Sequence, residues 1–135
     1  MEEVSLEQAS KAVERSWSIE TCDPVDAADW SLNNPARGQC GSTALVMNDL
    51  FGGELLVAEV LRSDHSRQGF HYWNRLPDGH EIDLTRHQFS VAEVVQTART
   101  VARPPGPPKR CAVQYDLLRD RVFEALGLTP PRWSA

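Results

Sequence analysis

Three side chains in this 135-residue chain are of the types that together carry nucleophilic catalysis: Cys40, His71 and Asp83. Cys40 stands at the predicted start of a buried helix, where free N–H groups and the positive end of the helix dipole stabilise a thiolate. In such a set the sulfur attacks a carbonyl carbon, the imidazole takes and returns the proton, and the carboxylate orients the imidazole. The sequence therefore predicts a Cys-His-Asp triad acting on an amide or a thioester.

The spacing of His71 and Asp83 follows from a predicted β-hairpin. Pro77-Asp78-Gly79 suits a three-residue turn with Gly79 in the left-handed conformation, which pairs Leu76 with His80. Continuing this register makes His71 and Asp83 diagonal neighbours, roughly 7–8 Å apart along the backbone. The alternation also predicts an apolar core face and a polar face. The predicted core face carries Phe70, Tyr72, Leu76, Ile82 and Leu84, and the predicted polar face carries His71, Trp73, Arg75, Glu81, Asp83 and Thr85.

Helices and strands must hold these residues in place. A capping box of Ser5 and Gln8 predicts a first helix over residues 6–16, and a second box of Ser90 and Glu93 predicts a short helix. Apolar spacing predicts a buried helix over 39–51, ended by Gly52-Gly53, and a last helix that Gly127 caps. The remaining extended runs are 54–61, 69–76 and 80–85, typical of strands.

Two segments lack regular patterning. The sequence predicts a long loop on the active-site side over residues 18–38. It predicts an extended, proline-rich connector to the C-terminal helix over residues 103–109. The order of elements predicts a single α+β domain over residues 1–135, with the helix that starts at Cys40 packed on a small antiparallel sheet. The sequence alone does not say whether residues 103–135 cover the site.

Several motifs resemble known families. The segments Gly38-Gln39-Cys40, His71-Tyr72-Trp73-Asn74 and Ile82-Asp83-Leu84-Thr85 are similar to the transglutaminase-like core of papain-type cysteine enzymes, in the same order Cys, His, Asp. A longer similarity, over about residues 30–90, is to the small bacterial YunG-like proteins. It rests on Asn34-Pro35-Ala36-Arg37-Gly38-Gln39-Cys40, on Asn48-Asp49-Leu50-Phe51-Gly52-Gly53, and on the run from Ile82 to Phe89.

The resemblance implies a papain-like fold and a hydrolase or acyltransferase acting on a small molecule or a peptide. It also implies an amide that binds the oxyanion. Asn34 occupies the position six residues before the nucleophile, and Gln39 adjoins Cys40, so either amide is a candidate beside the Cys40 N–H. Trp73, between His71 and Arg75, is a candidate wall of the substrate site.

Two other readings use the same residues. Histidines, Cys40 and Asp83 are possible zinc ligands, but no Cys-x-x-Cys or His-x-x-x-His spacing occurs, so no metal or other cofactor is expected. Alternatively, the chain is a partner-binding module that keeps a papain-like shell without activity. Arg37 and Arg86 could bind an anionic group, although isolated arginines are usually solvated.

Composition limits the classes of function. The net charge of −5 and the lack of a basic run argue against nucleic-acid binding. No segment is apolar for long enough to span a membrane, and the acidic start lacks the features of a signal peptide. Three cysteines without paired spacing fit a reducing compartment, so a cytoplasmic location is expected.

Overall fold

A computed structural model describes residues 4–130, so residues 1–3 and 131–135 of the predicted domain lie outside the described part. The described chain is a mixed α+β structure with helices packed on an antiparallel sheet, as the sequence predicts. Its α-helices are α1 (Leu6–Ser16), α2 (Cys40–Phe51) and α3 (Ala112–Ala125). Its strands are β1 (Glu54–Leu61), β2 (Arg67–Arg75), β3 (Glu81–Ile82), β4 (Val94–Val95) and β5 (Arg99–Val101).

The three helices share one apolar core. The predicted capping box at the start of α1 is confirmed, because Ser5 and Gln8 each hydrogen-bond the other's backbone N–H. Helix α2 ends at Gly52, which has φ 73°, and Gly127 follows α3 with φ 69°. The buried residues of this core are Ala12, Val13, Trp17, Ala36, Val46, Met47, Tyr115, Leu118, Val122 and Phe123.

The segment predicted as a long loop contains two 3-10 turns, Ile19–Thr21 and Pro24–Asp29, each capped by the side chain before it. Its last residue is tied back to the link between the two turns, because the Asp23 N–H donates to the Gly38 carbonyl at 2.9 Å. The segment therefore folds back on itself directly before α2.

Strand β1 lies at the centre of the sheet. It pairs with β2 on one edge and with both β4 and β5 on the other, while β3 pairs with β2. The Asn74 side chain donates to the Ala44 carbonyl of α2 at 2.9 Å, so its face of β2 is turned toward α2. His71 and Trp73 alternate with Tyr72 and Asn74 and therefore lie on the opposite face.

The predicted hairpin register is confirmed up to Ile82. Leu76 donates to the His80 carbonyl, Arg75 pairs with Glu81, and Asn74 pairs with Ile82. The pairs predicted beyond this point do not form. Asp83 leaves the ladder because its side chain accepts the Thr85 N–H, and a 3-10 turn at Arg86–Gln88 follows.

The predicted division into an apolar core face and a polar face was wrong in burial. Phe70 is 44% exposed, whereas His71 is 0% and Trp73 is 6% exposed. The reason is that both faces are covered, one by α2 and the other by the chain after β3. Trp73 packs with Leu56, Ala58, Val95 and Ala98.

The short helix predicted after Ser90 was also wrong. The Ser90 N–H does donate to the Glu93 carboxylate, as the capping box predicts. The chain then extends into β4 and β5 instead of forming a helix. These residues complete the second edge of β1, where Val60 pairs with Val95 and Leu56 with Thr100. Pairing with a distant strand thus overrides the local helix signal.

The proline-rich connector carries neither helix nor strand, as predicted. Arg103 anchors it, since its guanidinium donates to Asp49 at 2.9 Å and to the Tyr115 hydroxyl at 3.1 Å. Across residues 4–130, none of the helices has the length and apolar character required to cross a membrane.

Candidate active site

Cys40 begins α2 at the free edge of β2. The Gln39 side chain makes no capping hydrogen bond there, so the first N–H groups of the helix have no acceptor within it. The Cys40 thiol lies 3.9 Å from the Phe70 carbonyl, and the neighbouring Tyr72 N–H acts to lower its pKa. These backbone groups are open to the thiol because β3 pairs with β2 only at Asn74 and Arg75.

The environment of Cys40 disfavours the thiolate. Burial raises the pKa of the Cys40 thiol to about 11, outweighing the N–H groups of Tyr72 and Gly41. The carboxylates of Asp26 and Asp83 add to the increase. The expectation that the helix start lowers this pKa was therefore wrong, because loss of solvation around the sulfur outweighs the helix N–H groups. Cys40 is a thiol at pH 7 and requires a base to become nucleophilic.

His71 and Asp83 form the predicted pair. His71 Nε2 lies 2.6 Å from Asp83 Oδ2, and the imidazole is fully buried. Burial alone would raise the pKa of Asp83, but hydrogen bonds from His71 and Arg86 outweigh it and lower the pKa. Asp83 is therefore ionised at neutral pH and can orient the imidazole and stabilise its protonated form.

Aromatic contacts hold the imidazole on both sides. The His71 and Trp73 rings stack with centroids 5.3 Å apart, and Phe89 meets His71 edge-on at 4.9 Å. Trp73 is held in turn by Glu81, which accepts its indole N–H at 2.7 Å, and by the Arg86 guanidinium over its ring. The ring of His71 is thus fixed in position by its surroundings.

His71 Nδ1 is buried and has no hydrogen-bond partner among residues 4–130. Cys40 does not hydrogen-bond to it, but the thiol contacts the backbone of Phe70 and Tyr72, the residues on either side of His71. The structure therefore brings the sulfur next to the strand position of the histidine, whose second ring nitrogen is unused.

A cavity of about 540 Å³ opens beside Cys40. Its apolar walls come from α2, from the strands β1, β2 and β5, and from the proline-rich connector, and include Leu45, Leu55, Tyr72, Val101 and Pro104. This volume is in the range of small-molecule sites.

Sequence comparison places this chain in a family. The sequence profile of the YunG protein family matches residues 5–127. The chain belongs to the YunG family. The Uncharacterized protein YunG of Bacillus subtilis (strain 168) is 32% identical to it over 84 residues, which are 62% of this chain and 63% of that protein. The aligned region thus spans less than two thirds of the relative. No solved structure matches the chain.

In this YunG-family chain, the two amides that the sequence offered as oxyanion donors have other partners. Asn34 Nδ2 donates to the Gln88 carbonyl at 3.0 Å. Gln39 is fully buried, donates to the Ser18 carbonyl at 2.9 Å and accepts the Thr21 hydroxyl at 2.7 Å. Both amides hold the loop before α2 in place.

Trp73 likewise differs from its expected place at a substrate wall. It is buried against His71 and does not line the cavity, whereas Gln88 and Phe89 do. Both belong to the segment Ile82–Phe89 that carried the family resemblance, but no periodicity marks which side chains of a 3-10 turn face a site. The sequence therefore held no signal that would have singled them out.

Residues 4–130 include no group of three His, Cys, Asp or Glu side chains arranged to hold a metal ion. His80 is exposed and pairs with Asp78 in the hairpin turn, 2.9 Å away.

Proposed function

We propose that this YunG-family protein is a cysteine-dependent hydrolase or acyltransferase with a transglutaminase-like, papain-like core. The observation that supports this most is the buried His71–Asp83 pair, with Nδ1 of His71 unused, on the strand segment whose backbone contacts the Cys40 thiol. A thiol at a cavity, in contact with the strand that carries a fixed imidazole with an unused nitrogen, has the groups that acyl transfer needs.

The proposed reaction begins with proton transfer. His71 Nδ1 takes the Cys40 proton as the sulfur bonds to the carbonyl carbon of the substrate, and the C=O electron pair moves onto oxygen. When the pair returns, the bond from that carbon to the leaving nitrogen or sulfur breaks, and His71 gives the leaving group its proton. Water or an amine then attacks the acyl carbon of the Cys40 thioester and gives a proton to His71. The carbon–sulfur bond breaks, the acid or amide leaves, and His71 returns the proton to the Cys40 sulfur. The raised pKa of Cys40 makes the base essential, because the thiol does not ionise by itself at neutral pH.

The cavity favours an uncharged, apolar acyl group. Its charged lining residues are compensated: Asp23 pairs with Arg110, and Asp26 lies 3.3 Å from Arg37. The remaining walls are mainly aliphatic, aromatic and proline side chains. These offer no partner that would offset the cost of desolvating a charged ligand.

A second candidate is a binding module without activity. It is favoured by the contact of the thiol with the Phe70 carbonyl rather than with His71, and by the exposed side chains of Val25 and Phe70 at the cavity. In that case the cavity would bind an apolar group of a partner, and Cys40 would not react.

Covalent trapping separates the two. The full chain is incubated at pH 7 with a hexanoyl thioester of N-acetylcysteamine, and the acylated residue is identified by peptide mass mapping. We expect one hexanoyl group on Cys40, none on Cys40→Ser, and little on Cys22 and Cys111, whose pKa values burial also raises. Equal labelling of the three cysteines, or the absence of both an adduct and a Cys40-dependent release of thiol from the thioester, would overturn the proposed function.

A further inference from the structure

Gln88 carries an unused hydrogen-bond donor at the candidate site. The residue is 4% exposed, and its Oε1 accepts the Gly38 N–H at 3.0 Å. Its Nε2 is buried and hydrogen-bonds to no group within the described chain. Buried amide nitrogens are rarely left without an acceptor, because desolvating them costs free energy that only a hydrogen bond returns.

The position of this amide is fixed. The Gln88 N–H donates to the Thr85 carbonyl, the Gln88 carbonyl accepts from Asn34, and Gly38 holds the side-chain oxygen. Gly38 precedes the nucleophile by only two residues. Since Oε1 is turned to Gly38, Nε2 is the end of the amide that remains for a ligand.

Gln88 and Cys40 line the same cavity. On the Cys40 side, the first N–H groups of α2 have no acceptor within the helix, and the Gln39 side chain does not cap them. An unused side-chain donor and the N–H groups at the start of α2 therefore belong to residues that line one cavity.

We propose that Gln88 Nε2 donates a hydrogen bond to the carbonyl oxygen of the acyl group that Cys40 attacks, with the Cys40 N–H as second donor. This inference rests on the proposed function. As the sulfur–carbon bond forms and the proton passes to His71, the C=O electron pair becomes an oxyanion, and the Gln88 amide stabilises that charge. Gln88 thus takes the role for which the sequence offered Asn34 and Gln39.

The test compares two reactions at the same sulfur. Gln88→Glu keeps the size of the side chain and the oxygen that accepts from Gly38, but removes the N–H donor. Acylation of Cys40 by the hexanoyl thioester forms an oxyanion, whereas alkylation by iodoacetamide is a displacement at a saturated carbon and does not. The ratio of the two rates cancels any effect of the new carboxylate on the thiol itself.

We expect the ratio of acylation to alkylation to fall roughly 10²-fold to 10³-fold in Gln88→Glu. Gln88→Leu, which removes the donor without adding charge, should show a similar fall among the molecules that fold. Gln96→Glu, an exposed glutamine outside the cavity, should keep the wild-type ratio.

Two results would overturn the inference in distinguishable ways. An unchanged ratio in both Gln88 variants, with wild-type Cys40 acylated, overturns the role of Gln88 and leaves the proposed function standing. Failure of wild-type Cys40 to be acylated, while iodoacetamide alkylates it, overturns the proposed function and this inference with it.

Discussion

The two halves of the candidate site differ in how firmly they are held. On one side, His71 is fully buried, bonds to Asp83 at 2.6 Å, and is enclosed by the rings of Trp73 and Phe89. On the other side, the Cys40 thiol has a long contact of 3.9 Å to the Phe70 carbonyl and faces an open cavity. The imidazole is held firmly by its neighbours, and the thiol is comparatively free.

This difference indicates where the barrier to the proposed reaction lies. The pKa of Cys40 is raised to about 11, so the thiol cannot rely on its own ionisation at pH 7. In the proposed reaction, the imidazole that takes the proton is already fixed, and substrate binding must bring the sulfur into line with it.

Removing the carboxylate that holds His71 should have the largest effect on the rate of Cys40 acylation. Asp83→Asn removes the charge that orients and stabilises the imidazolium, while keeping the size of the side chain. We expect the rate of Cys40 acylation to fall roughly 10²-fold to 10⁴-fold. The rate is measured by mass spectrometry after rapid quenching.

The hairpin offers a matched control. Asp78 makes a similar contact with His80, at 2.9 Å, but that pair is exposed in the turn. Asp78→Asn should therefore keep the wild-type acylation rate. Equal losses in the two variants would mean that Asp83 acts only through general stability.

The loop that leads to Cys40 can be tested through stability. Gly38 has φ +72°, and a Cβ there would lie 2.5 Å from the Cys22 sulfur and 2.9 Å from the Asp26 Cβ. Gly38→Ala should therefore lower the free energy of unfolding by about 2–4 kcal/mol, measured by urea denaturation.

Gly41 is the comparison for Gly38. It lies within α2 and a Cβ there meets no atom within 4 Å, so Gly41→Ala should raise the free energy of unfolding by roughly 0.5–1 kcal/mol. A neutral Gly38→Ala would show that the segment before α2 is not tightly constrained.

A smaller effect is expected on the free energy of unfolding at low pH. Because hydrogen bonds from His71 and Arg86 outweigh burial and lower the pKa of Asp83, its ionised form stabilises the folded chain. That contribution is complete above the unfolded carboxyl pKa of about 3.9 and is lost as the pH falls below it. The difference in unfolding free energy between wild type and Asp83→Asn should shrink as the pH falls below about 4. A difference that stays constant down to pH 3 would contradict the lowered pKa.

The sequence predicted those elements whose signals are local. The capping box at Ser5 and the apolar spacing of α2 depend on neighbours along the chain, and so does the turn that sets the register from Leu76 to Ile82. The structure agrees with the sequence at each of these places.

Features that depend on distant contacts were not predictable in the same way. Residues near Val95 became a strand because they complete the edge of β1, and His71 became buried because Phe89 covers it. The contact of His71 with Asp83 was predicted from the register although the strand ends one residue earlier. Contacts between separate loops decide which side-chain amides are occupied: those of Asn34 and Gln39 have acceptors, whereas Nε2 of Gln88 has none among the described residues. The spacing of residues in the sequence does not predict such contacts.

The most direct test of the account is the pH dependence of Cys40 acylation in His71→Gln, with folding checked by circular dichroism. We expect the rate at pH 7 to fall at least about 10²-fold relative to wild type, because the thiol loses its base. The deficit should shrink as the pH rises toward 11, where Cys40 ionises without help. Equal rates of wild type and variant at pH 7 would contradict the assignment of His71 as the base.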